Sequence, residues 1–346
     1  MPNTRPATRT TIMDVARVAG VSRQTVSNAI NSPERVRPET LSKVLQVVED
    51  LHYRPSSAAR TLRHQRAGAV GTELNAVAAQ PSDIALPFLT ALTLSATRHA
   101  CHMVPFASKE AFPLLSGYQD MVRRRLVDAF VLTDTHPGDP RPAWLEEAGI
   151  PYASFGRIYD DPTRGYWADV DGAAGTKMAV AHLAETGYRT VGFLGWPAGS
   201  AVGDDRRAGW AQGVEEHDVA AGPAGSAPQS LPEAVRAAEA LLDELSPGDA
   251  VVCASDVLAL GVQQAALGRG WRPGADIGIT GFDGSPVAQL HGLTTLTQPL
   301  NEIAEHLLTV VHDQLAGSAD AAQGTLLLPT LDANNSTVIT PKKGTS

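Results

Sequence analysis

Between Ile12 and Ile30 a helical apolar period is broken once, by a glycine, and this constrains the chain more than any other feature. Ile12, Val15, Ala16 and Ala19 fall at i, i+3, i+4 and i+7, one face of a short helix. Thr11 stands ahead of it with Asp14 three residues on, a capping-box-like start. Gly20 supplies the residue free to turn at positive φ, and Ser22 is a natural N-cap for a second helix carrying Val26, Ala29 and Ile30 inward. Two short helices around a glycine turn form a helix-turn-helix, whose second helix can lie in the DNA major groove.

The outward face of that second helix holds Arg23, Gln24, Thr25, Ser27 and Asn28, with Ser22 at its start. Arg pairs bidentately with guanine and Gln or Asn with adenine, so this face carries the groups that base edges demand. A third helix begins with Pro38 at N1, and its stripe of Leu41, Val44, Leu45, Val48 and Leu51 can cover the first two. His52-Tyr53-Arg54-Pro55 ends it, because proline disfavours helix in the residue before it. Ser56–Arg63 is too short for a stable helix alone and can fold only against a partner, such as DNA and a dimer mate.

TIMDVARVAGVSRQTVSNAIN followed by VRPETLSKVLQVVEDLHYRPSSAARTL resembles the headpiece of the LacI/GalR family of bacterial transcription regulators. The resemblance implies a hinge helix over Ser56–Leu62, with Ala59 and Leu62 at the DNA and Leu62 wedged into the minor groove, as apolar wedges that kink DNA generally are. One reading helix per chain, with a hinge that needs a mate, leads to the expectation of a homodimer on a pseudo-palindromic double-stranded operator.

The net charge of −9 argues against nucleic acid until its distribution is read. Residues 1–66 carry eleven Arg plus Lys against five Asp plus Glu, so a basic head sits on an acidic body. Arg5, Arg9, Arg35, Arg37, Arg54, Arg60 and Arg63 are candidates for phosphate contacts, which position a protein without reading sequence. No apolar run reaches membrane-spanning length and no signal segment opens the chain, so a cytoplasmic, nucleoid-associated protein is expected. Cys101 and Cys253 are far apart in apolar stretches and read as buried free thiols, with no metal site or cofactor.

After Arg66 short apolar runs alternate with amphipathic helical stretches, a pattern of parallel sheets with helices on both faces. Expected strands include Val70-Gly71, Met103–Phe106, Val127–Leu132, Pro151–Phe155, Thr190–Leu194, Ala250–Cys253 and Ile277–Thr280. Ala220–Ser230, AAGPAGSAPQS, shows no period and reads as irregular, mobile chain in place of a strand or loop. No internal repeat is clear enough to use. The tail lacks a leucine heptad, so no tetramerising bundle is expected.

The body resembles the same family in LPFLTAL, GIPYASFGR, DVDGAAGT, HLAETGYRTVGFLG, RRAGW, ASDVLALGV, IGITGFDGSP and LTTLTQPLNEIAEHLL. This implies a periplasmic-binding-protein-like core of two doubly wound parallel-sheet subdomains with a small ligand, a sugar or oligosaccharide, between them. The organisation expected is a headpiece at 1–55, a hinge at 56–66, a core at 67–341 and a tail at 342–346. Within the core the N-subdomain takes about 67–168 and 299–327, the C-subdomain about 169–297 and 328–341.

Ligands of open parallel sheets sit beyond the carboxyl ends of the strands. Arg206 in R-x-x-G, Asp256, Asp283 and Asp171 fall at such ends, and Arg and Asp can pair with vicinal hydroxyls. Trp196, Trp167, Phe88 or Phe155 can stack on a sugar face. The resemblance places effector contacts at Arg206, Asp283 and Ser255 or Asp256. The alternative for Ser255, Asp256 and Asp171 is helix capping, and for the aromatics plain core packing. Three departures from the family pattern stand out: Glu73 where an apolar residue is usual, Leu86 before Pro87 where asparagine is usual, and Asn334 in place of arginine.

An enzyme would need a nucleophile with a base, a metal cluster or a phosphate loop. None of G-x-x-x-x-G-K-[ST], G-x-G-x-x-G after a strand, H-E-x-x-H or G-x-S-x-G occurs, and adjacent Asp204 and Asp205 do not face each other on a helix. The expectation is a repressor relieved by a sugar inducer. The alternatives are a corepressor-dependent regulator of purine type, or a solute-binding protein that does not bind DNA.

Overall fold

A computed structural model describes residues 10–53, 66–74, 84–107, 115–161, 163, 165–318 and 324–338. The hinge segment with Ala59 and Leu62, the basic residues Arg5, Arg9, Arg54, Arg60 and Arg63, and the tail lie outside the described residues. The chain divides into two compact units, Met1–Ala67 and Gly68–Ser346.

The first unit holds α1 (Ile12–Ala19), α2 (Arg23–Asn31), a 3-10 turn (Pro33–Arg35) and α3 (Pro38–Asp50). Thr11 and Asp14 close a full capping box, and Gly20 takes the left-handed conformation with φ 66°. Val15, Ala16, Ala19, Val26, Ala29 and Val44 form its small core, with Leu41, Val48, Leu51 and Tyr53 packed around them. Leu45, read as part of the inward stripe, is instead 47% exposed.

The second unit contains two six-stranded sheets. The first runs β2 (His102–Phe106), β1 (Ala69–Glu73), β3 (Ala129–Leu132), β4 (Tyr152–Phe155), β5 (Trp167–Val170) and β11 (Gly324–Leu327), all parallel. The second runs β7 (Ala220–Ser226), β6 (Thr190–Gly195), β8 (Ala250–Cys253), β9 (Gly278–Asp283), β10 (Thr294–Thr297) and β12 (Thr330–Asp332). Only β12 is antiparallel there. Each sheet therefore repeats one doubly wound order and borrows its sixth strand from late in the chain. The chain passes between sheets after Val170, after Thr297 and after Leu327.

Helices cover the sheets: α4 (Ala85–Arg98), α5 (Ser116–Arg123) and α6 (Pro140–Glu147) follow strands of the first. After β5 come α7 (Gly172–Glu185), α8 (Ala201–Glu216), α9 (Leu231–Asp243), α10 (Asp256–Gly268) and the short α11 (Pro286–Leu290). The last helix, α12 (Leu300–Ala316), returns to pack on α4 and on β3, β4 and β5. The buried strands are near-continuous apolar runs, as strands covered on both faces require.

Ala220–Ser226 corrects the composition-based reading of this stretch as irregular chain. It is strand β7, paired in parallel with β6. The missing side chains are what permit it: a Cβ on Gly222 would lie 2.8 Å from the Gly192 nitrogen, and one on Gly192 would lie 2.9 Å from the Pro223 carbonyl. The outer strands β2 and β7 each contain a proline, Pro105 and Pro223. Cys101 and Cys253 are free thiols, the second fully buried. Among the described residues no helix is long and apolar enough to cross a membrane.

Glu73 at the end of β1 is accommodated by Arg141, whose guanidinium lies 3.5 Å from it and 2.7 Å from Asp139. Glu305 on α12 ties that helix to α4 by accepting from Arg98, from the Ser95 hydroxyl at 2.6 Å and from His99 at 3.1 Å. The Arg98 and Ser95 bonds hold its carboxyl near 2, against an ordinary 4.5. A carboxyl depressed by folding stabilises the protein above its unfolded pKa, and that contribution fades as pH falls from 4.5 towards 2. Glu305→Gln should therefore be less stable than the parent in urea at pH 6, with the gap closing by pH 2. A gap that does not depend on pH would show that the ion pairs are not its source.

Candidate nucleic-acid interface and effector cleft

On α2, Ser22 caps the helix by accepting from the Thr25 N–H at 3.0 Å, and the two hydroxyls share a bond of 2.9 Å. Ser22 and Thr25 are thus partly spent on holding the helix start. Arg23 and Gln24 are exposed, and Ser27 and Asn28 are half-buried. The Gln24 amide donates to the Asn28 side-chain carbonyl at 2.9 Å, one helical turn away. What remains of the pair includes a carbonyl on Gln24 and an amide on Asn28, an acceptor and a donor of the kind adenine N6 and N7 require.

In the second unit Arg206 and Gln298 converge on Asp283. This last residue of β9 has φ 125°, a region that side chains other than glycine rarely occupy. Strain of that kind persists only where neighbours impose it, and it clusters at ligand sites. Gln298 donates to one Asp283 oxygen at 2.7 Å, and the Arg206 guanidinium lies 3.6 Å from the same oxygen. Arg206 also donates to the Ala254 carbonyl, and sits 3.6 Å over the Phe282 ring and 5.2 Å from that of Trp196. Its Nε is buried without a hydrogen-bond partner. Burial pulls this guanidinium below its ordinary pKa, while Asp283, Asp169 and Asp256 act against that.

The R-x-x-G spacing has a direct cause. Arg206 and Gly209 lie on α8 against α7, where a Cβ on Gly209 would come within 2.0 Å of the Ala173 carbonyl. That closeness lets the Thr176 hydroxyl donate to the Arg206 carbonyl at 2.7 Å, fixing the arginine along the helix. Gly209→Ala should destabilise the core by at least the ~1–3 kcal/mol typical of overpacking, read as a lower urea midpoint. A midpoint within ~0.5 kcal/mol of the parent would show that the helices part without cost.

The remaining candidates divide by role. Trp196 donates to the Gln229 carbonyl at 2.8 Å, and the Ser255 hydroxyl donates to the same oxygen at 2.8 Å. Ser255 also caps α10, and it has no exposed surface. Asp256 is fully buried, with one oxygen accepting the Ser285 N–H at 2.7 Å and the other the Thr295 hydroxyl at 2.5 Å. It therefore stands behind the wall, bracing β10 and the turn after β9. Asp171 caps α7 through the Ala174 N–H at 2.8 Å. Phe88 is buried against Phe155, ring centroids 4.4 Å apart, and Trp167 is 8% exposed. Asn334 is tied to Thr294, its N–H donating to the hydroxyl at 2.8 Å.

An open cleft of about 360 Å³ lies on the Gln298 side of Asp283, between Ile84, Pro87, Thr90 and Ala91 of the α4 region and Ser285, Thr297 and Asn301. On the Arg206 side is a charged cluster that the strand-end rule did not single out: Arg157, Tyr159, Asp169 and Asp205. Gln298 and Gln229 were also missed. A glutamine just before a proline at a crossing, or in a polar turn, has no spacing that marks it.

Residues 11–56 match the family model of bacterial regulatory proteins, lacI family, and residues 180–337 match a periplasmic binding protein-like domain. The ribose operon repressor of Halalkalibacterium halodurans is 31% identical over 300 residues, 85% of this chain and 87% of that protein. The chain belongs to the LacI family. It is accordingly a DNA-binding transcription regulator with a ligand-binding core, in a family of regulators rather than enzymes. Two solved structures share the fold of this LacI-family regulator. The lac repressor dimer bound to operator and the anti-inducer ONPF has a TM-score of 0.78 at 22% identity, over 96% of this chain and 100% of that one. The transcriptional regulator CelR–cellobiose complex has a TM-score of 0.69 at 23% identity, over 95% and 100%.

Proposed function

We propose that this LacI-family regulator is a homodimeric repressor of a pseudo-palindromic operator, released when a neutral sugar or short oligosaccharide closes the cleft around Asp283. The observation that carries the effector reading is the convergence of Arg206 and Gln298 on one strained carboxylate beside an exposed cleft, with Trp196 over the guanidinium. A carboxylate flanked by donors accepts from one hydroxyl while its neighbours donate to the next, and an indole offers an apolar face to a sugar ring. The names ribose operon repressor and CelR–cellobiose complex point the same way. Arg206, Asp283, Gln298 and Trp196 are the proposed contacts, with Asp171, Phe88, Ser255 and Asp256 supporting them from behind.

On DNA, the proposed base-reading residues are Arg23, Gln24 and Asn28, helped by Ser22, Thr25 and Ser27, with Ala59 and Leu62 at a hinge over residues 56–66. Leu62→Ala should weaken operator binding and reduce DNA bending while the headpiece stays folded, because the hinge has little other apolar surface to insert between base steps. An unchanged bend angle in a circular-permutation assay would remove the wedge.

A ligand shifts an equilibrium only if it binds one state better than the other. A thermal-shift screen of mono- and disaccharides and of purine bases, run with and without operator DNA selected from a random pool, tests the proposal. A sugar that stabilises the protein and weakens operator binding supports it. A purine base that stabilises the protein and tightens operator binding would overturn it.

A further inference from the structure

Arg157 follows β4 after Gly156, a turn with φ 107° where a Cβ would meet the Thr135 hydroxyl at 2.7 Å. The same hydroxyl donates to the Arg157 carbonyl at 2.8 Å, so the backbone that carries the arginine is held on the first-sheet side of the core. Its side chain reaches two carboxylates. One is Asp169 in β5 of the same sheet, 3.4 Å from Nε, and the other is Asp205 on α8, which packs on the second sheet and directly precedes Arg206. Side-chain exposure is 22% for Arg157, 10% for Asp169 and 33% for Asp205. Tyr159, in the same charged surroundings, has its hydroxyl buried without a hydrogen-bond partner.

We infer that Arg157 is a cross-cleft clamp: with Asp169 as its anchor and Asp205 as its catch, it sets how far the two subdomains stand apart before any effector arrives. The pair joins elements of different sheets, so it contributes only when the subdomains are near each other. A planar guanidinium can grip two carboxylates at once, which an ammonium does less well. Partial burial makes the contact stronger than a surface ion pair, and partial exposure leaves it open to screening by salt. The clamp rests on the two-subdomain cleft and not on the identity of the effector.

The test uses the full chain carrying Cys101→Ser, with spin labels on cysteines placed at exposed Thr97 of α4 and exposed Gln212 of α8, diluted with excess unlabelled chain. Pulsed electron–electron resonance then reads the distance between subdomains without ligand. Arg157→Met and Asp205→Asn should each shift the distribution to longer distances, and the double variant should shift it no further than either single one. Arg157→Lys should lie between the parent and Arg157→Met. Raising NaCl should open the parent and leave Arg157→Met unmoved. A parent distribution unchanged by either substitution, or shifts that add in the double variant, would overturn the clamp. Circular dichroism of each variant separates opening from misfolding. Failure here would leave a sugar response intact, and failure of the sugar screen would leave these distances intact.

Discussion

Replacing Arg206 by alanine should lower the stability of the core by about 3–5 kcal/mol and abolish any effector response. The guanidinium is 4% exposed and is a positive charge felt by Asp283 first and by Asp169 and Asp256 after it. Removing one partner of a buried ionic group leaves the others uncompensated, which costs far more than the intact group contributes. Asp283 feels this loss first, because the guanidinium lies 3.6 Å from its oxygen. Urea unfolding of Arg206→Ala and Asp283→Asn, followed by titration with whichever compound shifts the parent, checks both parts. A stability change below ~1 kcal/mol would mean that water enters the site and solvates the acids, and a retained response would place the effector elsewhere.

Arg23→Ala and Gln24→Ala should each weaken operator binding by about 1–3 kcal/mol while binding to unrelated DNA changes far less. Both side chains stand exposed on the first turn of α2, at the end that meets base edges in helix-turn-helix proteins. Because Gln24 is bonded to Asn28, the double variant of that pair should cost less than the two single changes combined. Competition binding against scrambled DNA measures the difference. Equal losses on both DNAs would make these residues phosphate contacts, which position but do not read.

The headpiece was legible in the sequence because each of its elements is announced locally. Thr11 and Asp14, Gly20, Ser22 and Pro38 mark helix boundaries by chemistry confined to a few residues, and the structure puts each boundary there. Strand–helix alternation likewise gave the class of the core. What it concealed was the duplicated sheet order, since the two halves share topology without sharing residues. The strand at Ala220–Ser226 was hidden for a related reason. Its fitness depends on how closely β6 comes, and neither strand reveals that alone.

At the candidate site, strand-end position found Arg206 and Asp283 but could not rank Ser255, Asp256 and Asp171. An acid or hydroxyl at a helix start caps it and faces a cleft with the same sequence signature. Only the hydrogen bonds separate the two roles, and they make Asp171 and Ser255 caps and Asp256 a brace. Arg157 and Asp205 escaped because they are 48 positions apart and each is unremarkable in its own neighbourhood.

The prolines in β2 and β7 bear on how copies of this protein meet. A sheet border is a row of alternating donors and acceptors that any extended chain can read, and the two sheets end in four such borders, at β2, β11, β7 and β12. Pro105 and Pro223 each delete a donor from the row and put a ring in the approaching chain's path. Neither β2 nor β7 can then be extended smoothly by an added strand. At those two borders an approaching chain finds a broken ladder, so a contact there falls to side chains that must fit one another, which disfavours endless edge-to-edge growth.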